Sequence, residues 1–266
     1  MVGMKPRFLN FLILIVPFVE VINSLVERAD MFRFGRVNND TEYMGHHVYR
    51  AVPLTQGFKY FNTVYNTLYI HDQGIISFKD EPLSMTPRCE QSSDPAIYPF
   101  WAHNLATIEG QIFYRQTNNS IETAKASDEV NIAFPRLGPL RMQWVLIVTW
   151  EDTTPHGNMA ECVMANNTFQ AILTTDGVYS FVIVYYNQIQ YTTDHFLGPD
   201  CSTDNVRGHA RVGINFGILN QYLNVQGSCT RSIANIGHST NVCWPGKYVF
   251  KVEKFVPFFE ILPLSS

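Results

Sequence analysis

An Asp-Gly pair at residues 176–177, set between two β-rich runs, constrains this chain more than any other feature. Before it lies NTFQAILTT (167–175), and after it VYSFVIVYY (178–186). Such a turn needs positive φ, which Gly adopts without steric cost, so the pair predicts an antiparallel hairpin. A third run, MQWVLIVTW (142–150), precedes it across a polar loop. The first and third runs are apolar at consecutive positions, so both faces of these strands are expected to be covered. Nothing in 142–193 has the character of a catalyst; the stretch reads as the centre of a scaffold.

The remaining apolar runs support the same architecture. A β pattern starts at Phe58 and continues over 62–70. His71-Asp-Gln-Gly74 turns it into 75–78, and Asp72 reads as a turn-capping residue because the EF-hand spacing is absent. Further strands are expected over 110–115, 209–217 and 247–252. Pro99, within 95–103, should keep that segment out of a central ladder, with Phe100 and Trp101 anchoring it to the core. Residues 120–134 have a loose helical spacing of Ile121, Ala124, Val130 and Ala133. Ser120 caps this helix, Lys125 and Glu129 face solvent, and Pro135 stops it. Strands without βαβ alternation favour sheets packed face to face. The expected fold is mainly β, an antiparallel two-layer β-sandwich-like domain with one short helix. It occupies 58–254, after an irregular segment at 25–57 and before a short apolar tail at 255–266.

The N-terminus has the layout of a secretory signal. Lys5 and Arg7 precede an apolar run over 8–19, and Ser24 suits cleavage, so 1–24 is expected to be removed. The run is shorter than the roughly 18–20 residues of a membrane span. In a secreted chain the five cysteines should be mostly oxidised. Cys229 and Cys243 bracket a polar segment and are expected to pair, with Cys162–Cys201 as a second pair. Cys89 is then free or intermolecular, which opens a route to a disulfide-linked homodimer. Three sequons, at Asn39, Asn118 and Asn166, stand in loop-like contexts suited to N-glycosylation.

Chemistry-bearing motifs are sparse. There is no G-x-S-x-G elbow, H-E-x-x-H helix or phosphate loop. Asp152, His156, Glu161 and Cys162 share one loop, which reads as solvated. A hydrolase would need a cleft joining His156 or His195 to a carboxylate. His46-His47 are adjacent, so on a strand they point to opposite faces and make a poor metal pair. With a net charge of −4 and no basic stripe, nucleic acid is not an expected partner. No metal or cofactor is expected, and the chain reads as a non-enzyme.

The order of segments carries a resemblance. Tyr69-Ile70 with Gly74-Ile-Ile-Ser-Phe78, then AIYPFW (96–101) and GQIFYR (110–115), resembles the first half of a NIDO domain, the extracellular domain of nidogens and alpha-tectorin. In the second half, WVLIVTW (144–150) is similar to the family's W-x-L-V-V-T-W. NTFQAILTTDG (167–177) is similar to N-T-F-Q-x-x-L-x-T-D-G, and Ile189-Gln190-Tyr191 to I-Q-W. Val212-Gly-Ile-Asn215, Ser239-Thr-Asn-Val242 and PGKYVF (245–250) complete the pattern. The resemblance implies a secreted, non-catalytic module of matrix or cell-surface proteins, acting in cell–matrix adhesion through protein binding. The alternative is a secreted carbohydrate-binding module using exposed aromatics such as Trp101, Tyr191 or Trp244.

Overall fold

The computed structural model describes residues 26–43, 49–80, 87–89, 93–102, 104–105, 110–155, 165–192, 208–218 and 221–253. In chain order the elements are β1 (Thr41–Tyr43), β2 (Tyr49–Tyr60), β3 (Thr63–His71), β4 (Ile75–Ser77), β5 (Ala96–Trp101), β6 (Asn104–Leu105) and β7 (Gln111–Thr117). Helix α1 (Ser120–Ala133) follows, then β8 (Trp144–Pro155), β9 (Asn167–Thr175), β10 (Ser180–Ile189), β11 (Arg211–Ile218), β12 (Gln221–Asn224) and β13 (Lys247–Lys251). One sheet has the order β1-β7-β8-β9-β10-β13, with β6 beside β8, and the other β12-β11-β5-β4-β3-β2. All pairings are antiparallel. The fold is the expected mainly β, two-layer arrangement.

The hairpin at 176–177 forms, but its connection is four residues long, because β9 ends at Thr175 and β10 begins at Ser180. The Asp176 carboxylate organises it by accepting from the amides of Val178 (2.8 Å) and Tyr179 (2.7 Å). Consecutive apolar positions in β8 and β10 serve two cores. Trp144, Leu146, Val148, Trp150, Val182, Val184 and Tyr186 face the other sheet. Val145, Ile147, Phe181, Ile183 and Tyr185 face outward, beneath Ala126 and Val130 of α1 and beneath Val26, Met31 and Phe32.

The stretch expected to be irregular at 25–57 therefore contains β1, most of β2 and a segment covering the outer face of the first sheet. Alternation in β2 was obscured by Pro53, which lies where the register with β3 shifts. The β2–β3 turn is Phe61-Asn62, both at positive φ (40° and 66°). Phe is an unexpected turn residue; here its ring packs on Phe216 and its amide donates to the Val252 carbonyl. Pro99, expected to keep its segment out of a central ladder, lies in β5, which is central between β11 and β4. It fits because the β5–β11 register skips from Tyr98 to Trp101. The Pro99 carbonyl instead accepts from the Tyr186 hydroxyl across the sandwich (2.6 Å).

Helix α1 also differs from its expected orientation. Asn119, not Ser120, is the N-cap, its side chain accepting from the Ile121 amide. Thr123, Ala126 and Val130 are buried, while Ile121 and Ile132 are exposed. Lys125 and Glu129, expected in solvent, instead find polar partners, Lys125 in the N-terminal segment at Asp30 and Glu129 on the sheet at Tyr185.

The buried polar residues of β9 act as clamps. Gln170 is fully buried, accepts from the Phe32 amide and donates to the Phe32 carbonyl, both at 2.9 Å. It also donates to Thr149 Oγ1 (2.7 Å). Asn167 likewise accepts from the Gln190 amide (2.8 Å) and donates to the Tyr191 carbonyl (3.0 Å). Each amide pairs with backbone as a neighbouring strand does. Gln170→Leu leaves the Phe32 backbone and the Thr149 hydroxyl unpaired. It is expected to lower unfolding stability by roughly 2–4 kcal/mol, measured as a fall in the urea midpoint.

His71 is buried against Ser77 (Nε2 to Oγ, 2.9 Å). Burial lowers its pKa from 6.5 to about 4. Between those values the unfolded chain takes up a proton that the folded chain refuses. The His71 contribution is therefore complete above pH 6.5 and declines as pH falls towards 4, by about 3 kcal/mol in all. Replacing His71 with Gln is expected to flatten that part of the stability–pH curve, read from urea midpoints at pH 4 to 7.

Candidate interaction surface

The residues from Ser239 to Gly246 form a ledge whose shape follows from two side chains. Asn241 accepts from the Val249 amide (2.9 Å) and donates to its carbonyl (2.8 Å), which caps the outer edge of β13. Thr240 Oγ1 donates to the Lys247 carbonyl (2.8 Å) and accepts from the amides of Val242 (2.9 Å) and Trp244 (3.3 Å). Gly246, at φ 75°, turns the chain into β13, and its carbonyl accepts from the Tyr186 amide (2.9 Å). Held this way, Cys243 and Trp244 project outward; Trp244 is 54% exposed.

Beside the ledge is a cleft of about 280 Å³. Ile132, Val242 and Trp244 supply apolar walls, and Lys125, Glu129 and Lys247 supply charge. Lys247 Nζ sits 2.7 and 2.8 Å from the two carboxylate oxygens of Glu129. The ammonium also lies 4.7 Å from the Trp244 ring centroid and 5.4 Å from that of Tyr185. The Tyr185 hydroxyl donates to Glu129 (2.8 Å), and burial followed by this carboxylate raises the Tyr185 pKa well above its ordinary value. Lys125 donates to the carbonyls of Asp30 (2.7 Å) and Met31 (2.8 Å), and burial lowers its pKa. The charges are thus committed to holding α1 and the N-terminal segment on the sheet. The exposed apolar surface of Trp244 and Ile132 has no such structural task. Contiguous surface of this kind is suited to docking a partner.

A second cleft, of about 590 Å³, adjoins the first and shares Ala29 and Lys125 with it. Arg115 organises it, 2.6 Å from both Asp40 and Glu122. Burial raises the Asp40 pKa, against the pull of Arg115. Asn39 lines this cleft, and Asn118 stands between the lining residues Thr117 and Asn119. Both sequon asparagines are exposed. Asn166 is half-buried and its side chain accepts from Gln188.

The cysteine pairing differs from the expectation. Cys229 pairs with Cys89 (S–S 2.04 Å), and Cys243 is free and exposed. Proximity in sequence misled because a 3-10 helix, Arg231–His238, lies between the two expected partners. Its Ile233 and Ile236 enter the core between the sheets. The Cys229 amide stays at the Ala210 carbonyl, on the β11 side, whereas Cys243 lies by β13 in the other sheet. Of the proposed sugar-stacking aromatics, Trp101 and Tyr191 are only 4% and 3% exposed. Trp244 alone of the three offers its ring to solvent. Asp72 is buried in its turn. His46, His47, His156, Glu161, His195, Cys162 and Cys201 lie outside the described residues, as do the segments 1–24 and 255–266. Among the described residues no three His, Cys, Asp or Glu side chains group as metal ligands. No helix among them is long and apolar enough to cross a membrane.

The family described as Nidogen-like domain, NIDO, matches residues 66–254. Alpha-tectorin from Gallus gallus is 33% identical over 204 residues, covering 76% of this chain and 10% of its own length. Human alpha-tectorin is 34% identical over 196 residues, covering 73% of this chain and 9% of its own. Nidogen-2 from Mus musculus is 27% identical over 155 residues, covering 53% and 11%. The chain thus spans about a tenth of the length of the alpha-tectorins it matches. No solved structure matches it.

The observed pairing has a direct check. Cys229→Ser opens a disulfide that closes 140 residues of chain. It is expected to cost about 3–5 kcal/mol of stability. Cys243→Ser should leave the thermal midpoint unchanged. Equal losses in the two variants, by calorimetry, would contradict this assignment.

Proposed function

The chain belongs to the nidogen-like domain family, and we propose that it is a secreted, non-catalytic extracellular module that supports cell–matrix adhesion by binding matrix or cell-surface proteins. The family resemblance and the secretory layout of residues 1–24 support the extracellular setting. The observation that carries the docking reading is the exposed Trp244, with Ile132 and Val242, on a ledge fixed by Thr240 and Asn241. Glycans on Asn39 and Asn118 would stand over the larger cleft and direct a protein partner to the Trp244 side.

The covalent homodimer moves from Cys89 to Cys243. The free thiol is adjacent to Trp244, so a dimer through it covers the ledge, and the monomer leaves the ledge open. A second reading, carbohydrate binding, now depends on Trp244 and its cleft.

Secreted chain run on non-reducing gels is expected to show a dimer that collapses with reductant and is absent in Cys243→Ser. Surfaces coated with the Cys243→Ser monomer should hold cells. Adding Trp244→Ser should reduce attachment about tenfold or more. Attachment indifferent to Trp244 would overturn the docking site. Loss of attachment on adding soluble sugars would favour the carbohydrate reading instead.

A further inference from the structure

Three of the four sheet edges are protected against further strand pairing. The outer edge of β13 is capped by the Asn241 amide and carries Lys247 and Lys251. On β2, Gln116 of the other sheet donates to the Pro53 carbonyl (2.9 Å) and accepts from the Thr55 amide (2.8 Å). That strand also has a register shift and carries Arg50 and Lys59. At the third edge, β1 has three residues, including Glu42. These are the devices by which proteins avoid edge-to-edge association.

The fourth edge, β12, is short, at four residues, and its register with β11 shifts between Asn215 and Ile218, but it has no capping side chain and no charged residue of its own. No charged residue occurs between Arg211 and Arg231 in the sequence, and the Arg211 guanidinium that reaches Asn224 Oδ1 (3.3 Å) and the Tyr222 ring (6.0 Å) is itself buried on β11. Its inner side pairs with β11 in the register Ile214↔Leu223 and Asn215↔Tyr222. The Val225 amide donates inward to the Val212 carbonyl. By antiparallel alternation, Leu223 also points its backbone groups inward, whereas Tyr222 and Asn224 point theirs outward. Among the described residues no backbone or side-chain group meets those outward amides and carbonyls. Tyr222 and Ile218 are exposed alongside them, at 38% and 45%.

We propose that β12 is a homotypic pairing edge at which a second copy of this chain adds its own β12, antiparallel and related by a twofold axis at Leu223. In this register Tyr222 of each copy faces Asn224 of the other, and the four outward backbone groups on each strand are all paired. The six-stranded sheet becomes one continuous sheet across two copies. The occupant is a second copy because the edge is self-complementary in hydrogen bonding and carries no charge of its own, the nearby Arg211 being buried, so no exposed charge on the strand repels an identical one. Such a contact is small and weak by itself, and it gains where copies are held close. It goes beyond the Cys243 lock, which lies by the opposite sheet.

The test uses the secreted chain carrying Cys243→Ser, which removes the covalent dimer and leaves only non-covalent association. Sedimentation equilibrium is expected to show the mass rising towards twice the monomer with concentration. Over the same range, hydrogen exchange at the Tyr222 and Asn224 amides should slow. Asn224→Pro deletes the outward amide together with the Asn224 Oδ1 that accepts from Arg211 Nε (3.3 Å), so it is expected to hold the protein monomeric with a lowered thermal midpoint. Asn224→Ala, which loses only the Arg211 bond, is expected to share that lower midpoint and still associate. Should the proline variant fold poorly, the exchange readout on the parent chain still decides. A single monomeric mass at all concentrations overturns the proposal. So does association with Tyr222 and Asn224 amides that exchange equally fast at every concentration.

Discussion

The structure depends on side-chain amides that behave as one-residue strands. Asn and Gln carry a donor and an acceptor spaced like a peptide group, so one side chain can pair with both backbone groups of a residue. Among the described residues Gln170 does so on Phe32, Asn131 on Leu140 and Asn241 on Val249, while Asn167 bridges Gln190 and Tyr191 and Gln116 bridges Pro53 and Thr55. Backbone that leaves a ladder must find partners or water, and a buried segment has little water. These clamps satisfy irregular segments where they cross the sheets. They allow residues 26–34 to lie on the outer face of the first sheet and bury Val26, Met31 and Phe32. Without Gln170 that segment would bring unpaired backbone groups onto an apolar surface.

Aromatic hydroxyl and indole groups tie the two layers together in a comparable way. Trp150 donates from β8 to the His71 carbonyl at the end of β3 (2.9 Å), and Tyr186 donates from β10 to Pro99 in β5. Trp144 donates to Thr55 Oγ1 across the same interface (3.0 Å). The rings fill the core while their polar tips reach acceptors in the facing sheet, two of them backbone carbonyls and one the Thr55 hydroxyl. The Tyr186 bond needs the Pro99 carbonyl, which the register skip between β5 and β11 leaves available. A proline that seems out of place in a central strand thus contributes one of the cross-links.

Where sequence reasoning succeeded, the pattern was local. The runs around 144–150 and 167–186, the helix after Asn118 and the last strand all carry their signal within a dozen residues. It failed where the deciding partner is distant in the chain. The α1 face was misread because Lys125 and Glu129 look solvent-bound until Asp30, Met31, Tyr185 and Lys247 arrive from elsewhere. The Phe61-Asn62 turn is stabilised by Phe216 and Val252, which no local rule supplies. Cysteine pairing was assigned by sequence distance, while Cys89 and Cys229 meet across a separation of 140. The NTFQ segment was visible as a motif, yet the roles of Asn167 and Gln170 required their backbone partners. The Trp244 ledge had only a weak signal: Thr240 and Asn241 before a Pro-Gly turn, with an aromatic between them and the turn.

The docking ledge and the clamps share one cause. Asn241 protects the β13 edge and in doing so fixes the loop that exposes Cys243 and Trp244, so the surface is a product of edge protection. The central claim is that side-chain amides hold loop backbone as firmly as a ladder does. Native-state hydrogen exchange tests it most directly at Phe32, Leu140 and Gln190, whose amides donate to Gln170, Asn131 and Asn167. If the claim holds, these three amides exchange as slowly as those in the centre of β9, through global unfolding. Exchange as fast as at the exposed Val37 would contradict it.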